Sequence, residues 1–237
     1  MFCNEERTPL EREGAMNWKG LPLLIFGTSG NSKEIKTIVD EINQTNYVNV
    51  YDFLGFVSEQ GTDIGKKVGK SVVVCSDENF GEYIESFSVI GIIIPIGTPE
   101  IKRNIYKRIC KHSNLVFPNI ISPSARIMEN SSVQIGMGNI ICSGCVLTVE
   151  IDIGDFNLIN RSSTIGHNVR IGNYNIINPL VSVSGGVEIH DEVLVGAGSS
   201  IKQGVILKSN SIVGMGAIIP KTVEENTIMI CQAAHKK

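Results

Sequence analysis

The second half of the chain repeats an aliphatic residue at every sixth position. Fifteen consecutive positions at this spacing carry isoleucine, leucine or valine: Ile135, Ile141, Leu147, Ile153, Ile159, Ile165, Ile171, Ile177, Val183, Ile189, Val195, Ile201, Leu207, Val213 and Ile219. A second series, mostly small or β-branched residues such as Asn139 and Ser163, lies two positions before each. A period of six fits neither an α-helix nor an alternating strand. It predicts a solenoid of short parallel strands, with three hexapeptides to a coil and five coils.

In such a coil the aliphatic side chain points inward and packs on its equivalent one coil away, while the small residue fits the corner. Glycine often follows the aliphatic position, as at Gly136 and Gly196, which we interpret as the conformational demand of a tight corner. The pattern is irregular between Ala125 and Val133, where Glu129 occupies an expected aliphatic position. The alternative of a β-sandwich would require longer strands and less regular spacing.

The first half of the chain has a different pattern, in which strands alternate with helices. A short apolar run, Leu23–Phe26, precedes a glycine turn, and apolar residues then follow at helical spacing. Further strands are predicted at 48–57, 71–75 and 89–94. A second helix is predicted from Thr98, with Ile101, Ile105 and Ile109 along one face. This alternation predicts a small parallel sheet, open and covered by helices.

Composition and charge narrow the function classes. The 237 residues include 21 basic and 24 acidic residues, so we expect neither a nucleic-acid partner nor an anionic membrane surface. Without an apolar stretch of 18 residues or a signal-peptide pattern, we expect no membrane span and a cytoplasmic protein. Cys142 and Cys145 form a CxxC, but no second pair follows, and we interpret the six cysteines as reduced thiols rather than as metal ligands.

Two stretches carry candidate chemistry. The turn from Gly27 to Asn31 lies where backbone amides at a helix N-terminus favour an anion such as a diphosphate. The spacing is not GxGxxG and no acidic residue follows at a ribose position, so NAD is disfavoured; a nucleotide-linked substrate and a purely structural turn both remain open. His167 lies in the most polar part of the repeats, and imidazole, with an unperturbed pKa of about 6.5, suits a general base. From spacing alone, a surface histidine is more often a bystander than a base.

Several motifs together resemble a known family. The segment Gly27-Thr28-Ser29-Gly30-Asn31-Ser32-Lys33-Glu34 is similar to its glycine-rich loop, and Ile121-Ser122-Pro123-Ser124-Ala125 to its domain junction. Gly166-His167-Asn168 followed by Asn178-Pro179 is similar to the segment that bears its catalytic histidine. The hexapeptide series resembles the left-handed parallel β-helix of bacterial acyltransferases. Residues 21–230 resemble the branch that contains nucleotide-aminosugar N-acetyltransferases and sialic acid O-acetyltransferases.

This resemblance implies a domain organisation and an activity. It implies an α/β Rossmann-like substrate-binding domain at 21–117 and an all-β left-handed β-helix acyltransferase domain at 118–230. Residues 1–20, which are polar and show no sustained periodicity, predict a flexible leader, and residues 231–237 a polar tail. The expected activity is transfer of an acetyl group from acetyl-CoA to a nucleotide-linked amino sugar, without a metal. The expected assembly is a homotrimer, in which acetyl-CoA lies in a groove between neighbouring β-helices and an adjacent subunit presents the sugar.

The resemblance also implies roles for single residues. His167 is the expected general base, with Asn168 and Asn160 beside it. The residues expected at the coenzyme are Ile176, Gly185, Gly196, Ala197, Gly198 and Gly214. The residues expected at the sugar nucleotide are Gly27, Thr28, Ser29, Gly30, Asn31, Ser58, Glu59 and Gly97.

Departures from the family pattern keep alternatives open. Ile176 stands where many relatives carry a second histidine that contacts the thioester, and Ser58-Glu59 stands where two aspartates are common. One alternative is a sialic acid O-acetyltransferase, and another is a non-catalytic trimeric scaffold that binds a sugar nucleotide. A γ-class carbonic anhydrase needs three zinc-binding histidines. It is disfavoured because His167 and His190 are 23 residues apart, more than one coil, and the repeats contain no third.

Overall fold

The computed structural model of the protein describes residues 18–231. Residues 1–17 of the predicted leader and 232–237 of the predicted tail lie outside the described residues. None of the helices within 18–231 has the length and apolar character that a bilayer span requires. The described chain forms an α/β region followed by a solenoid of short strands.

The α/β region contains six strands and three helices. They are β1 (Leu21–Phe26), α1 (Gly30–Thr45), β2 (Tyr51–Ser58), β3 (Lys67–Val68), β4 (Ser71–Ser76), α2 (Phe80–Ile84), β5 (Ile90–Ile93), α3 (Pro99–Ile109) and β6 (Leu115–Val116). The strand order is β3-β4-β2-β1-β5-β6. All neighbours are parallel except β3 and β4. The predicted open sheet with alternating helices is thus confirmed, although β2 begins three residues later than expected.

The solenoid has three faces, each a stack of parallel strands. Face 1 consists of β7 (Ile120–Ile121), β10 (Ile140–Ile141), β13 (Leu158–Ile159), β16 (Ile176–Ile177), β19 (Leu194–Val195), β22 (Ile212–Val213) and β24 (Ile228–Met229). Face 2 consists of β8 (Arg126–Ile127), β11 (Val146–Leu147), β14 (Thr164–Ile165), β17 (Ser182–Val183), β20 (Ser200–Ile201) and β23 (Ile218–Ile219). Face 3 consists of β9 (Val133–Ile135), β12 (Ile151–Ile153), β15 (Arg170–Ile171), β18 (Glu188–Ile189) and β21 (Ile206–Leu207).

Strand pairing confirms three hexapeptides per coil. Ile141 pairs with Ile159, which pairs with Ile177, so each step between coils spans 18 residues. The aliphatic residues of the series from Ile141 onward are buried in one continuous core. Burial of one such side chain stabilises the fold by about 1.5–3 kcal/mol. The stacked parallel faces fit a left-handed β-helix.

One corner of the solenoid contains a ladder of buried asparagines. The backbone N–H of Asn157 donates to Asn139 Oδ1 at 2.9 Å, and that of Asn175 donates to Asn157 Oδ1 at 2.8 Å. The side-chain amide of Asn157 also donates to the Gly172 carbonyl at 2.8 Å. These asparagines can occupy the interior because each coil supplies hydrogen-bond partners for the next. Among the described residues, the side-chain amide nitrogen of Asn175 and the hydroxyl of Ser211, another member of the series, lack a partner.

Glycine follows the aliphatic positions for a different physical reason from the one expected. Gly136 and Gly196 do not have positive φ angles; the left-handed residue of each turn lies two positions later, as at Gly138 and Gly198. A Cβ on Gly136 would lie 2.7 Å from the Gly154 carbonyl oxygen, and one on Gly196 would collide with the backbone nitrogen of Met215. At these two glycines the next coil therefore excludes a side chain, and the conformational explanation was wrong.

The solenoid is also longer than the predicted five coils, since its faces contain seven, six and five strands. Ile121 pairs with Ile141, a step of 20 residues, because the first coil contains an extra 3₁₀ turn at Asn130–Ser132. This insertion displaces the six-residue spacing and places Glu129 in a turn. For that reason the first two strands lie outside the six-residue series from which five coils were predicted, although within the predicted solenoid bounds of 118–230.

The outward side of face 1 joins the solenoid to the α/β region. Ile140, Leu158 and Ile176 point away from the solenoid core and are buried in a cluster with Ile35 and Ile38 of α1. At the edges, Arg103 of α3 pairs with Glu192 at 2.5 Å, and Arg161 of the solenoid pairs with Glu34 of α1 at 2.5 Å. The apolar contact fixes the position of α1 and of the glycine turn before it relative to the coils.

Helix α3 buries a lysine rather than one of the expected isoleucines. Ile105 and Ile109 are buried, but Ile101 is half exposed, because steps of four residues drift around a helix of 3.6 residues per turn. Lys102 lies on the buried face and its Nζ donates to the carbonyl oxygen of Phe156 at 2.9 Å. Burial lowers the pKa of Lys102 to about 7.

We expect this lysine to make stability depend on pH. Between pH 7 and the unfolded pKa of about 10.4 the unfolded chain binds more protons, so stability rises with pH by up to about 1.4 kcal/mol per unit. The effect of Lys102 is measured most clearly between pH 7 and 9. Above pH 9 the Cys75 and Cys142 thiols lower the stability, because burial raises their pKa to about 12 in the folded protein, whereas the unfolded chain has already lost these protons.

The measurement is urea unfolding of wild type and Lys102→Met at pH 7, 8 and 9. The free energy of unfolding should rise more steeply with pH in the wild type than in the variant. Lys107→Met, at an exposed position of the same helix, should retain the wild-type slope. Equal slopes for wild type and Lys102→Met would contradict the assignment.

Candidate active site

The predicted sugar-nucleotide residues meet at the carboxyl ends of neighbouring strands. Gly27 follows β1, Ser58 ends β2, and Gly97 lies beyond β5. Gly27 needs its glycine, since its φ is +82°. A Cβ on Gly97 would stand 3.3 Å from Nδ2 of Asn31, which brings the two loops into contact. The carboxyl edge of a parallel sheet is the usual ligand crevice of such folds.

A cavity of about 330 Å³ lies at this edge, lined in part by Gly27 and Glu59. Its other wall includes Asp77, which pairs with Arg108 at 2.7 Å. Burial raises the pKa of Asp77, and Arg108 opposes that shift. The sequence interpretation missed Asp77, although its position directly after β4 is the signal that could have identified it.

The remaining residues of the glycine turn form the start of α1. Ser29 is its N-cap residue but makes no side-chain capping hydrogen bond, and Ser29 and Gly30 are exposed. Thr28 lines a separate small cavity with Lys33 and Lys66. The turn therefore presents backbone N–H groups next to cationic side chains, which can hold an anion. Ser58, in contrast, donates to Asp63 Oδ2 at 2.6 Å.

His167 lies in the turn between faces 2 and 3, directly after β14. Its imidazole is exposed and lies over Gly185, the equivalent residue of the next coil: a Cβ there would be 2.5 Å from both Cε1 and Nε2 of the ring. His167 Nδ1 is 2.8 Å from Asn168 Oδ1. When Nδ1 donates this hydrogen bond, Nε2 has a free lone pair that can accept a proton.

Asn160 lies at the opposite end of β14, in the turn between faces 1 and 2. Its side chain is buried and its Oδ1 accepts the backbone N–H of Arg161 at 2.8 Å. The width of face 2 thus separates Asn160 from His167, and a single chain does not bring the two together. Asn168, in contrast, contacts the imidazole directly. The catalytic roles of all three remain predictions.

The predicted coenzyme residues divide among three places. Gly196, Ala197, Gly198 and Gly214 lie in turns between faces 1 and 2, whereas Gly185 lies beside His167. Ile176 is 1% exposed and packs against the α/β region, so its side chain has no free surface in the single chain. Between the two sets of turns, the middle strands of face 2 (β14, β17 and β20) present short exposed side chains, at Thr164, Ser182 and Ser200, whereas its end strands present Arg126 and Ile218. The resulting surface is shallow and open.

Two of these positions require glycine for different structural reasons. Gly214 is covered by the next coil, since a Cβ added to it would lie 2.9 Å from the carbonyl oxygen of Met229. Gly198 has a φ of +69° with open space around it. Gly198 is therefore glycine because of its backbone conformation, and the surface around it is open.

Within 18–231 no group of three or more histidine, cysteine, aspartate or glutamate side chains has a geometry that could hold a metal ion. Cys142 and Cys145, the predicted reduced thiols, are free and buried. Burial raises the pKa of both thiols, that of Cys142 to about 12.

Only the comparison with solved structures found proteins that are similar to this chain. No protein-family model and no curated protein sequence matches the chain. PerB from Caulobacter crescentus, solved in complex with CoA and GDP-perosamine, is 21% identical with a TM-score of 0.77, over 87% of this chain and 92% of that one. The chain has the fold of the hexapeptide-repeat sugar acetyltransferases.

Two further solved structures support that statement. The acetyltransferase domain of PglB from Neisseria gonorrhoeae is 20% identical with a TM-score of 0.77, over 87% of this chain and 95% of that one. WeeI from Acinetobacter baumannii is 23% identical with a TM-score of 0.75, over 88% and 95%. In all three the likeness extends over most of the described chain, so it includes both the α/β region and the solenoid.

The contact between His167 and Gly185 gives a testable prediction. Gly185→Ala should displace the imidazole, because the new Cβ takes its place, while an off-rotamer side chain costs only about 0.5–1.5 kcal/mol of stability. Gly186→Ala is the control: its φ is +66° and a Cβ there meets nothing, so it strains the backbone by about 1–2 kcal/mol without touching the ring.

The measurement is NMR of the histidine ring signals, with thermal unfolding of both variants. The His167 signals should move in Gly185→Ala and stay at their wild-type positions in Gly186→Ala. Unchanged His167 signals in Gly185→Ala would show that the ring does not lie over this glycine.

Proposed function

We propose that the protein is an acetyl-CoA-dependent acetyltransferase that acts on a nucleotide-linked amino sugar for surface glycan synthesis. The observation that carries the proposal is the exposed imidazole of His167, whose Nδ1 is hydrogen-bonded to Asn168, so that Nε2 can accept a proton when Nδ1 donates. The fold supports it, since solved structures of similar fold include a perosamine N-acetyltransferase in complex with CoA and the acetyltransferase domain of PglB in complex with acetyl-CoA.

In this mechanism His167 is the general base. Its Nε2 accepts a proton from the sugar amine as the amine nitrogen forms a bond to the thioester carbonyl carbon. His167 then returns the proton to the sulfur as the carbon–sulfur bond breaks, so the products are an acetamido sugar and free CoA. Orientation of both substrates at one imidazole provides a large part of the acceleration. A hydroxyl acceptor follows the same course.

The Rossmann-like α/β region binds the sugar nucleotide in this proposal. The turn from Gly27 to Asn31 offers the N-terminus of α1 to the diphosphate, and Lys33 and Lys66 line the cavity beside Thr28. Glu59 and Gly97 lie at the same sheet edge. The separate cavity with Asp77 and Arg108 offers hydrogen-bonding groups for the remainder of the ligand.

Acetyl-CoA lies along face 2 of the solenoid in this proposal, between two copies of the chain in a homotrimer. Face 2 supports this position because Thr164, Ser182 and Ser200 do not obstruct its surface. Next to them, Met215 and Ile218 are 74% and 78% exposed, and exposed apolar patches mark contact surfaces. A neighbouring subunit over this surface brings Asn160 and the α/β region of one chain toward His167 of another.

The central test is His167→Ala. Thiol release from acetyl-CoA, measured across a panel of nucleotide-linked amino sugars and free sialic acid, should fall by about a hundredfold or more, since loss of a general base has that effect. His190→Ala is the matched control: His190 is also exposed on the solenoid, and its removal should leave turnover unchanged.

The same panel separates the alternatives. Preference for sialic acid would identify an O-acetyltransferase. Binding of nucleotide sugars, seen as a raised melting temperature, without thiol release from any acceptor would identify a binding scaffold and overturn the proposed activity. Turnover that survives His167→Ala would overturn the role of the histidine.

A further inference from the structure

We infer that Glu150 is a positioning residue that sets the proton arrangement of His167 through Asn168. The inference deepens the proposed function and rests on it for its catalytic meaning. Glu150 lies in the same turn as Asn168, one coil earlier, and the side-chain amide nitrogen of Asn168 donates to Oε2 of Glu150. Asn168 Oδ1 is 2.8 Å from His167 Nδ1. The three side chains form a continuous chain from carboxylate to imidazole.

The direction of these hydrogen bonds follows from the chemistry of the carboxylate. An ionised glutamate only accepts hydrogen bonds, so the atom of Asn168 that faces it must be the NH₂ group. The amide oxygen then faces His167. Because an amide oxygen only accepts, the imidazole must donate from Nδ1, and the proton of the neutral ring is fixed there. Nε2 is left with its lone pair, as a general base requires.

Without Glu150, the amide of Asn168 has no fixed orientation. Rotated by half a turn, it presents its NH₂ group to Nδ1, which must then accept, and the ring proton moves to Nε2. That arrangement cannot take a proton from a substrate. Glu150 therefore selects between a basic and an inactive form of the same imidazole, although it does not touch the ring.

The backbone holds Glu150 in place for this contact. Its N–H donates to Oγ of Ser132 at 3.0 Å, and its φ is +55°, a conformation that a glutamate seldom adopts. The equivalent position is Asn168 in the next coil and then Gly186 and Gly204 in the two coils after that, with φ angles of +66° and +71° for the two glycines. This turn position thus carries a side chain in two consecutive coils, as Glu150 and Asn168, and glycine in the two coils that follow.

The first experiment is Glu150→Gln, which keeps the size of the side chain but can donate as well as accept. The readout is ¹⁵N NMR of the imidazole nitrogens in the free protein, which distinguishes the two neutral ring forms. Wild type should show His167 protonated at Nδ1, and Glu150→Gln should add the form protonated at Nε2. An unchanged ring form in Glu150→Gln would overturn the inference.

The second experiment is a rescue by exchange of charge. In Glu150→Gln combined with Asn168→Asp, the aspartate accepts from His167 Nδ1 and the glutamine donates to the aspartate, so the fixed arrangement is restored. The double variant should return His167 to the form protonated at Nδ1. A purely structural role for Glu150 would leave the double variant no better than the single one, and that result would also overturn the inference.

Kinetics then connect the ring form to turnover. In Glu150→Gln, kcat should fall by about three- to tenfold with little change in KM, at or below the usual effect of losing an orienting partner, and the double variant should recover most of it. Glu188→Gln, on face 3, should match the wild type. The NMR result is independent of any substrate: absence of turnover with every acceptor would end the proposed function, whereas only the ring form decides the role of Glu150.

Discussion

The structure depends on one constraint, which is that each coil of the solenoid must pack on the next at the spacing of paired β-strands, about 4.8 Å. Residues 18 positions apart in the regular part of the solenoid are therefore direct neighbours, in the interior and at the corners alike. Inside, this stacks aliphatic residues on one another, as Ile141 stacks on Ile159. At the corners it brings backbone so close that Gly136 and Gly196 admit no side chain. The same spacing that stabilises the core thus decides which corner positions are free to carry functional groups.

The α/β region uses the one face of the solenoid that is apolar on both sides. Ile140, Leu158 and Ile176 project outward from face 1 and are buried by α1 and its sheet, so the two parts share a core. This junction has a polar element as well, since Lys102 donates to the Phe156 carbonyl from a fully buried position. Burial of an amine destabilises the fold compared with burial of an apolar side chain. Its hydrogen bond to the Phe156 carbonyl joins α3 to the coil and satisfies the buried amine.

Much of this fold could be predicted from the sequence, because a strict period of six is a direct record of the three-sided coil. The errors have equally physical causes. Two extra residues in the first coil interrupted the period before Ile135, so β7 and β8 were left out of the predicted number of coils. The helix α3 was assigned its buried face from isoleucines four apart, although Ile101 drifts away and Lys102 takes its place. Hydrophobicity alone cannot identify a buried lysine, because the hydrogen bond that stabilises its buried amine comes from a carbonyl group 54 residues away.

The candidate site could be predicted from the sequence only in part, for a related reason. A histidine with an adjacent asparagine can be read along the chain, and His167 and Asn168 were. Glu150 could not be identified from its neighbours in sequence, because its role arises from the step of 18 residues that places it beside Asn168. Gly185 stands in the same relation to His167 one coil further on. Once the coil length is known, adding or subtracting 18 from a candidate residue identifies its contacts. In a solenoid, therefore, the surroundings of a functional group are encoded at the coil period rather than next to it in sequence, and a short motif contains only one layer of the site.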